Sequence, residues 1–189
     1  MYIIKSMEKT DVEEDTSFIL KKTVKSGNYS ILKKGINHQD IQRIRYTVYG
    51  AYLPFGCESY KDKNILNVIV NNSTNINHNL LVKLNRIIDT FEYLKTTSSG
   101  KNKYLIHDKT FFSFLKKMDT DDTDNEKYQM RFYLKYGAKV THTKHVGEID
   151  YSQLKGTRCN LDIELGSMWV SEETKQYGIN IFVTGVKLL

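Results

Sequence analysis

Basic and aromatic side chains alternate along two stretches of this sequence, and that combination is chemically suited to nucleic acid. In residues 128–136 and 43–53, the two-residue period of a β-strand puts these side chains on one face of each strand. They are Arg43, Arg45, Tyr49, Arg131, Tyr133 and Lys135. Cations hold backbone phosphates, and flat rings stack on unpaired bases at about 1–3 kcal/mol per base. The two faces therefore predict the binding of a single nucleic-acid strand.

Further candidates extend these faces. Residues 127–147 contain five Lys or Arg residues and no acid, which adds Lys139 and Lys144 to the predicted phosphate-binding groups. The second-choice residues are Trp169, Lys175 and Phe182. Phe182 falls on the side opposite the aliphatic residues of its strand, so it is predicted to be exposed. Trp169 shares the parity of the apolar residues before it, which favours core packing over base stacking.

The same pattern has two other interpretations. A strand face of Lys, Arg and Tyr is also the ordinary appearance of a solvated sheet surface with a few cross-strand pairs. A protein-interaction module that forms homo-oligomers through strand edges and exposed rings is the alternative function. RNA binding by the same surface is a further one, because no motif here distinguishes the 2′-hydroxyl. Replication proteins would be additional partners.

Composition sets the class of protein. The 189 residues suit one domain, 1–189, with residues 1–16 as an acidic N-terminal arm, and the apolar fraction of 40% fits a folded chain. A net charge of +6 favours polyanionic partners. No apolar run approaches the roughly 20 residues that cross a bilayer, and no leader is present, which predicts an intracellular protein without membrane contact. Cys57 and Cys159 are expected to be reduced thiols.

Catalytic and metal-binding groups do not assemble in the sequence. Glu148, Asp150, Asp162 and Glu164 could be imagined as ligands of a two-metal site. Alternation accounts for Asp162 and Glu164 more simply as the wet side of a strand. His142 and His145 lie on opposite faces of a strand, with no motif that supplies more ligands. Glycine-rich phosphate loops and nucleophile elbows are absent, so no enzyme, metal or cofactor is predicted.

Periodicity predicts the elements that position these residues. Two strands around residues 161–165 and 179–183 flank a polar hairpin loop at 171–176. A long helix spans the apolar repeat from Leu80 to Leu94, with Asn77 or Asn79 as its cap. A shorter helix follows from a cap at Asp108, with its apolar side formed by Phe111, Phe112, Leu115 and Met118. Short strands are predicted around residues 18–24, 29–34, 65–70 and 101–107, with a bulge at Gly50 and a turn at Gly137.

The closing hairpin also resembles a known family. It carries the only Trp near its turn and enters the last strand as Lys175-Gln176-Tyr177-Gly178-Ile179-Asn180-Ile181. This pattern resembles the final hairpin of single-stranded DNA-binding proteins from large DNA viruses, of the poxvirus type, and from phages. The resemblance covers about a third of the chain. It implies an OB-type barrel and a role in viral DNA replication or recombination in the cytoplasm or nucleus of the host.

The sequence therefore predicts a mainly β protein with helices, of the α+β class. Its centre would be an OB-like antiparallel barrel elaborated by one long and one short helix. The predicted function is binding of single-stranded DNA without strong sequence preference. Members of the resembled families often end in an acidic tail, whereas this chain ends in its last apolar strand.

Overall fold

A computed structural model describes residues 2–4, 18–22, 29–34, 41–60, 62–97, 106, 108–119, 126–142 and 150–189. It is mostly β-sheet with one long helix, as predicted. The elements in chain order are β1 (Tyr2–Ile4), β2 (Phe18–Lys22), β3 (Tyr29–Lys34), β4 (Ile41–Arg43), β5 (Arg45–Leu53), β6 (Cys57–Tyr60), β7 (Lys63–Asn71), α1 (Asn75–Thr97), β8 (Thr110–Phe112), β9 (Leu115–Lys117), β10 (Lys127–His142), a 3-10 helix (Tyr151–Leu154), β11 (Thr157–Ser171) and β12 (Gln176–Leu188).

The chain divides into two compact units. Unit 1 comprises residues Met1–Ile44, Thr90–Phe112 and Leu165–Asn180, and unit 2 comprises Arg45–Asp89, Ser113–Glu164 and Ile181–Leu189. The organisation of residues 1–189 as one domain stays a prediction. Of the predicted acidic arm, strand β1 is described, and the acidic segment 8–15 lies outside the described residues.

In unit 1, short antiparallel strands follow one another. β1 pairs with β2, β2 with β3, and β3 with both β4 and the distal part of β11. The predicted pairing of residues 18–22 with 29–34 is confirmed. At the start of β12, Tyr177 is buried and its hydroxyl donates to the carbonyl oxygen of Phe91 at 3.0 Å. Burial raises the pKa of the Tyr177 hydroxyl to about 12, because the charged phenolate would lose its hydration.

In unit 2, each of five strands pairs with two of the others, so the order of pairing ends on the strand with which it began. β5 pairs with β11 and β7, β7 pairs with β10, β10 pairs with β12, and β12 pairs with β11. The pairing of β10 with β12 is parallel, and the pairings of β7 with β5 and β10 are antiparallel. Val48, Leu66, Val68, Phe132, Leu161 and Val183 are buried and form part of the core of this unit. Their alternation leaves one face of each strand for polar groups.

Two irregularities change which face a side chain occupies. Around Gly50, the step from Val48 to Ala51 in β5 is matched by the shorter step from Leu161 to Cys159 in β11, so β5 has one extra residue. Gly50 has φ +61°, which confirms the predicted bulge. Because of the bulge, Tyr52 lies between the buried Ala51 and Leu53, whereas strict alternation along 43–53 would place it on the inner face with Val48.

The second irregularity is at Gly137. β10 continues through this residue to His142, so the predicted turn is wrong. The step from Leu134 to Lys139 in β10 is matched by the step from Val183 to Gly185 in β12, which leaves three extra residues in β10. Gly137 has φ +76°, a conformation that residues with a side chain rarely adopt. Glycine is therefore used here to widen a strand locally.

The long helix is confirmed, and its predicted cap is wrong. α1 begins at Asn75, and the hydroxyl oxygen of Thr74 accepts a bond from the backbone N–H of Asn77 at 3.2 Å. The side-chain nitrogen Nδ2 of Asn77 instead donates to the backbone carbonyl oxygens of Tyr49 and Asn71, at 3.0 and 3.2 Å. Asn77 thus fixes the start of α1 against β5 and β7.

The predicted second helix is absent from residues 108–118. Thr110–Phe112 forms β8, which is parallel to the start of β12, and Leu115–Lys117 forms β9, which is antiparallel to β10. A short apolar run cannot be assigned to helix or strand by spacing alone, and here distant partners supply the backbone hydrogen bonds of two strands. The strand predicted at 101–107 lies outside the described residues except for the buried Ile106.

Candidate functional site

An open cleft of about 580 Å³ lies in unit 2. Among its lining residues are Arg45, Thr47, Lys135, Tyr136, Asp162 and Thr184. These come from β5, from β10 and from the closing hairpin β11–β12, so three distant parts of the sequence supply one concave surface. Two of the predicted site residues, Arg45 and Lys135, are brought together here.

A buried carboxylate holds the two cations. Nε of Arg45 donates to Oε2 of Glu164 at 3.0 Å, and Nη2 of Arg45 also lies 3.0 Å from this oxygen. Nζ of Lys135 donates to the other oxygen, Oε1, at 3.2 Å. The side chain of Glu164 is 1% exposed, whereas those of Arg45 and Lys135 are 70% and 49% exposed. The prediction that Glu164 lies on the wet side of its strand is therefore wrong. These three side chains, the Glu164 triad, have two positive charges at the surface over one negative charge below.

A second acid forms one wall of the cleft. The hydroxyl of Thr47 donates to Oδ1 of Asp162 at 2.8 Å, and the hydroxyl of Thr184 donates to the backbone oxygen of Asp162 at 3.2 Å. Gly185 leaves room for this carboxylate, since a Cβ there would lie 3.2 Å from Oδ2 of Asp162. Asp162 is exposed, as predicted. The cleft therefore combines cations with one fixed hydrogen-bond acceptor.

Next to the triad, β10 has the predicted face of alternating charge and ring. Arg131 and Lys135 are exposed, and Tyr133 between them is half-buried. Residues two apart on a strand are about 7 Å apart, so the ring lies between two positive charges. The ring of Phe182 lies beside that of Tyr133, with centroids 6.2 Å apart and planes tilted by 45°. Phe182 was predicted to be exposed, and it is half-buried by this contact.

Two residues of this face were not predicted. Nζ of Lys63 lies 5.2 Å from the centroid of the Tyr133 ring, within the range of a cation–π interaction. Strict alternation along β10 would place Tyr136 on the apolar face of Met130 and Phe132, yet it is 103% exposed. The extra residues in β10 explain this exposure, because Tyr136 lies in the segment between Leu134 and Lys139 where the pairing with β12 is interrupted. Lys63 begins its strand and gave no signal in the sequence.

The remaining predicted residues of unit 2 lie on the surface in different settings. Tyr49 is 44% exposed and directly precedes the bulge at Gly50. Lys139 is exposed where β10 resumes its pairing with β12. Lys144 lies outside the described residues. Neither Tyr49 nor Lys139 lines the cleft.

Three predicted residues belong to unit 1. Arg43 is exposed at the end of β4. Trp169 is half-buried, with its ring centroid 6.1 Å from that of Phe112. It packs so closely on Gly178 that a Cβ there would lie 2.7 Å from the indole. Gly178 is thus a site of close packing within β12.

Lys175 is neutralised by acids. Its Nζ lies 3.3 Å from Asp108 and 3.2 Å from Glu172, and Nζ of Lys109 lies 2.9 Å from each of the same two residues. Lys109 is 2% exposed. We call these four side chains the Lys109 quartet. A hydrogen bond from Lys109, and to a smaller extent one from Lys175, lowers the pKa of Asp108 to about 2. Hydrogen bonds to Glu172 and Asp108 raise the pKa values of both lysines.

Other site types find no support among the described residues. No three His, Cys, Asp or Glu side chains in that part of the chain are grouped as metal ligands. Both cysteines are free thiols, and burial raises the pKa of Cys159 to about 12. No helix within the described ranges is long and apolar enough to cross a bilayer.

Comparisons with known proteins give structural neighbours only. No family model and no curated protein matches the sequence. A single-stranded DNA-binding protein from bacteriophage Enc34, in complex with ssDNA, is 14% identical with a TM-score of 0.48, over 91% of this chain and 94% of that one. A C-terminal truncation of the Enc34 protein gives 14% and 0.46, over 90% and 94%. A further Enc34 structure gives 15% and 0.46, over 90% and 88%. At these values, the function of this chain does not follow from that of its neighbours.

Proposed function

We propose that this protein binds single-stranded DNA, without strong sequence preference, along the outward face of unit 2. The observation that supports this most is the convergence of Arg45 and Lys135 in one cleft beside the ring pair of Tyr133 and Phe182. Cations for phosphates and rings for bases are the two components of a single-strand site. The exposed ring of Tyr136 adds a third aromatic surface at the same cleft.

The strand pairing of unit 2 supports an OB-like barrel. Five strands pair in a closed circuit, β5–β7–β10–β12–β11, and OB-folds are five-stranded Greek-key barrels. OB-folds bind oligonucleotides on the face of their second and third strands. In this circuit those strands are β7 and β10, which have Lys63, Arg131 and Tyr133 on the outward face. The proposed site therefore lies where such a barrel would bind its ligand.

Charge limits what this face can bind. Within the cleft, Arg45 and Lys135 are offset by Glu164 and Asp162, so the net attraction for phosphate must come from cations beside it. Arg131, Lys63 and Lys139 are exposed and supply it. An unpaired strand can place phosphates near these cations and still turn its bases toward the rings. Duplex DNA keeps its base faces stacked, so it would use only the electrostatic part of the surface.

The biological setting is part of the proposal. Replication and recombination expose unpaired strands, and the resemblance of the closing hairpin supports a viral context for them. Homo-oligomer formation and contacts with replication proteins are further parts of the proposal.

A salt titration tests the proposal. Labelled oligo-dT, oligo-U and duplex DNA are titrated with the protein by fluorescence anisotropy at several salt concentrations. We expect micromolar or tighter binding of oligo-dT, with log K falling by about 0.7 per neutralised phosphate for each unit of log salt. Preference for oligo-U would indicate an RNA-binding protein instead. A flat salt dependence or a preference for duplex would contradict the proposal.

Paired variants separate the two components of the site. Arg131→Ala/Lys135→Ala should weaken binding to all sequences alike, by roughly tenfold, and reduce the salt slope by about 1.4. Tyr133→Leu/Phe182→Leu keeps apolar packing but removes stacking, so affinity should fall with the slope unchanged. Lys83→Ala/Lys155→Ala, at two exposed lysines that do not line the cleft, is the matched control. Equal effects of the control and site variants would show that another surface binds DNA.

A further inference from the structure

We propose that the buried carboxylate of Glu164 occupies the place of a backbone phosphate between Arg45 and Lys135, and thereby limits how tightly the cleft binds a polyanion. This inference rests on the proposed binding of single-stranded DNA, and it states which group of the protein limits the affinity of that site. The function assigned to Glu164 is that of a positioning and competing residue, which acts through the two cations.

The geometry of the triad fits a phosphate stand-in. One carboxylate oxygen receives Nε and Nη2 of Arg45 at 3.0 Å, and the other lies 3.2 Å from Nζ of Lys135. Guanidinium and ammonium groups bind phosphate oxygens through the same kind of charge-assisted hydrogen bond. Both cations keep a large exposed fraction of their side chains, 70% for Arg45 and 49% for Lys135. A phosphate can therefore approach them from solvent while the carboxylate holds them from below.

Burial makes Glu164 a persistent competitor. The backbone positions it, because Glu164 in β11 is directly paired with Arg45 in β5. At 1% exposure the carboxylate cannot turn to water when a phosphate arrives. A buried charge without partners is costly, so Arg45 and Lys135 must be shared between the carboxylate and the ligand. The triad carries one net positive charge, and it would carry two without the charge of Glu164.

Removing this single charge tests the inference. Glu164→Gln keeps the shape of the side chain and should tighten oligo-dT binding by about three- to tenfold, with a salt slope steeper by about 0.7. Glu164→Met removes the charge without leaving a buried amide, and it should act in the same direction. Asp89→Asn makes the same change in net charge on the exposed surface of α1, and it should change affinity by less than about twofold.

A mutant cycle shows whether Glu164 acts through the cations. In an Arg45→Ala/Lys135→Ala background, Glu164→Gln should give a clearly smaller gain in affinity than it gives in the parent. Unchanged or weaker oligo-dT binding by both Glu164 variants, with parental circular dichroism, would overturn the inference but leave the proposed function intact. If the parent itself binds no oligo-dT at low salt, the proposed function fails, and this inference fails with it.

Discussion

Two charge clusters in the described part of the chain, the Glu164 triad and the Lys109 quartet, are built with opposite orientation. In the Glu164 triad, a buried acid lies beneath two exposed cations. In the Lys109 quartet, a buried cation is held by the exposed acids Asp108 and Glu172, with Lys175 bridging the same pair. The triad has one net positive charge, and the quartet has none. The triad therefore exposes two cations to solvent, whereas the quartet exposes two acids and Lys175.

This difference separates the proposed binding surface from a cluster that stabilises the fold. A phosphate near the triad meets cations first, whereas a phosphate near the quartet meets carboxylates and one lysine already paired twice. The ion pairs of the quartet connect the residues just before β8 to the turn between β11 and β12, so the quartet stabilises the fold. Lys175 is therefore a weaker candidate for DNA binding than Arg45 or Lys135, although all three are positively charged and exposed.

The largest effect should come from removing both cations of the triad from its buried acid. Arg45→Ala/Lys135→Ala takes away these two charges and should destabilise the protein by about 3 kcal/mol. Urea unfolding followed by circular dichroism measures the change. Adding Glu164→Gln to this variant should restore most of the loss, because the buried negative charge is gone. A loss that stays below about 0.5 kcal/mol would show that the orientation of the triad does not matter for stability.

Removing the buried cation of the quartet should cost less. Lys109→Met leaves two acids that already face solvent and can hydrate, and it relieves the desolvation of the ammonium group. We expect the unfolding temperature to fall by no more than about 4 °C. Differential scanning calorimetry of the parent and variant makes the measurement. A loss larger than that of the triad variant would reverse the comparison.

The quartet should also respond to acid with a definite sign. Asp108 has a folded-state pKa of about 2, held below its ordinary value first by the hydrogen bond from Lys109. A depressed pKa contributes stability above the unfolded-state value of about 4, and this contribution is lost as pH falls toward 2. The stability gap between the parent and Lys109→Met should therefore narrow from pH 4 to pH 2. Unfolding midpoints at pH 7, 4, 3 and 2 would show this, and a constant gap would contradict it.

The smallest effect expected is that of Lys175 on binding. Lys175→Ala should leave oligo-dT affinity within about 1.5-fold of the parent, because the acids of the quartet already neutralise this lysine. Lys135→Ala, at the comparably exposed lysine of the triad, should weaken binding by about threefold. Anisotropy titrations at one low salt concentration compare the two. Equal losses would remove the distinction between the clusters.

Much of the fold follows from local periodicity. The two-residue alternation of 161–165 and 179–183 predicted the closing hairpin, and the apolar repeat from Leu80 to Leu94 predicted α1. Local pattern also predicted the bulge at Gly50. It did not predict β8 and β9, because Phe111 and Leu115 are spaced equally well for one turn of helix. Only their distant partners, β12 and β10, favour the extended form.

The sequence alone determined which side chains alternate on β10, since the strand period places Arg131, Tyr133 and Lys135 on one face whatever surrounds them. Tertiary structure decided what those side chains meet. Arg45 and Glu164 are 119 positions apart, and no local rule pairs them or buries the acid. The three extra residues in β10 also place Tyr136 in solvent, against its parity. Strand pairing between distant segments decides such contacts, because register depends on both partners and a local pattern describes only one of them.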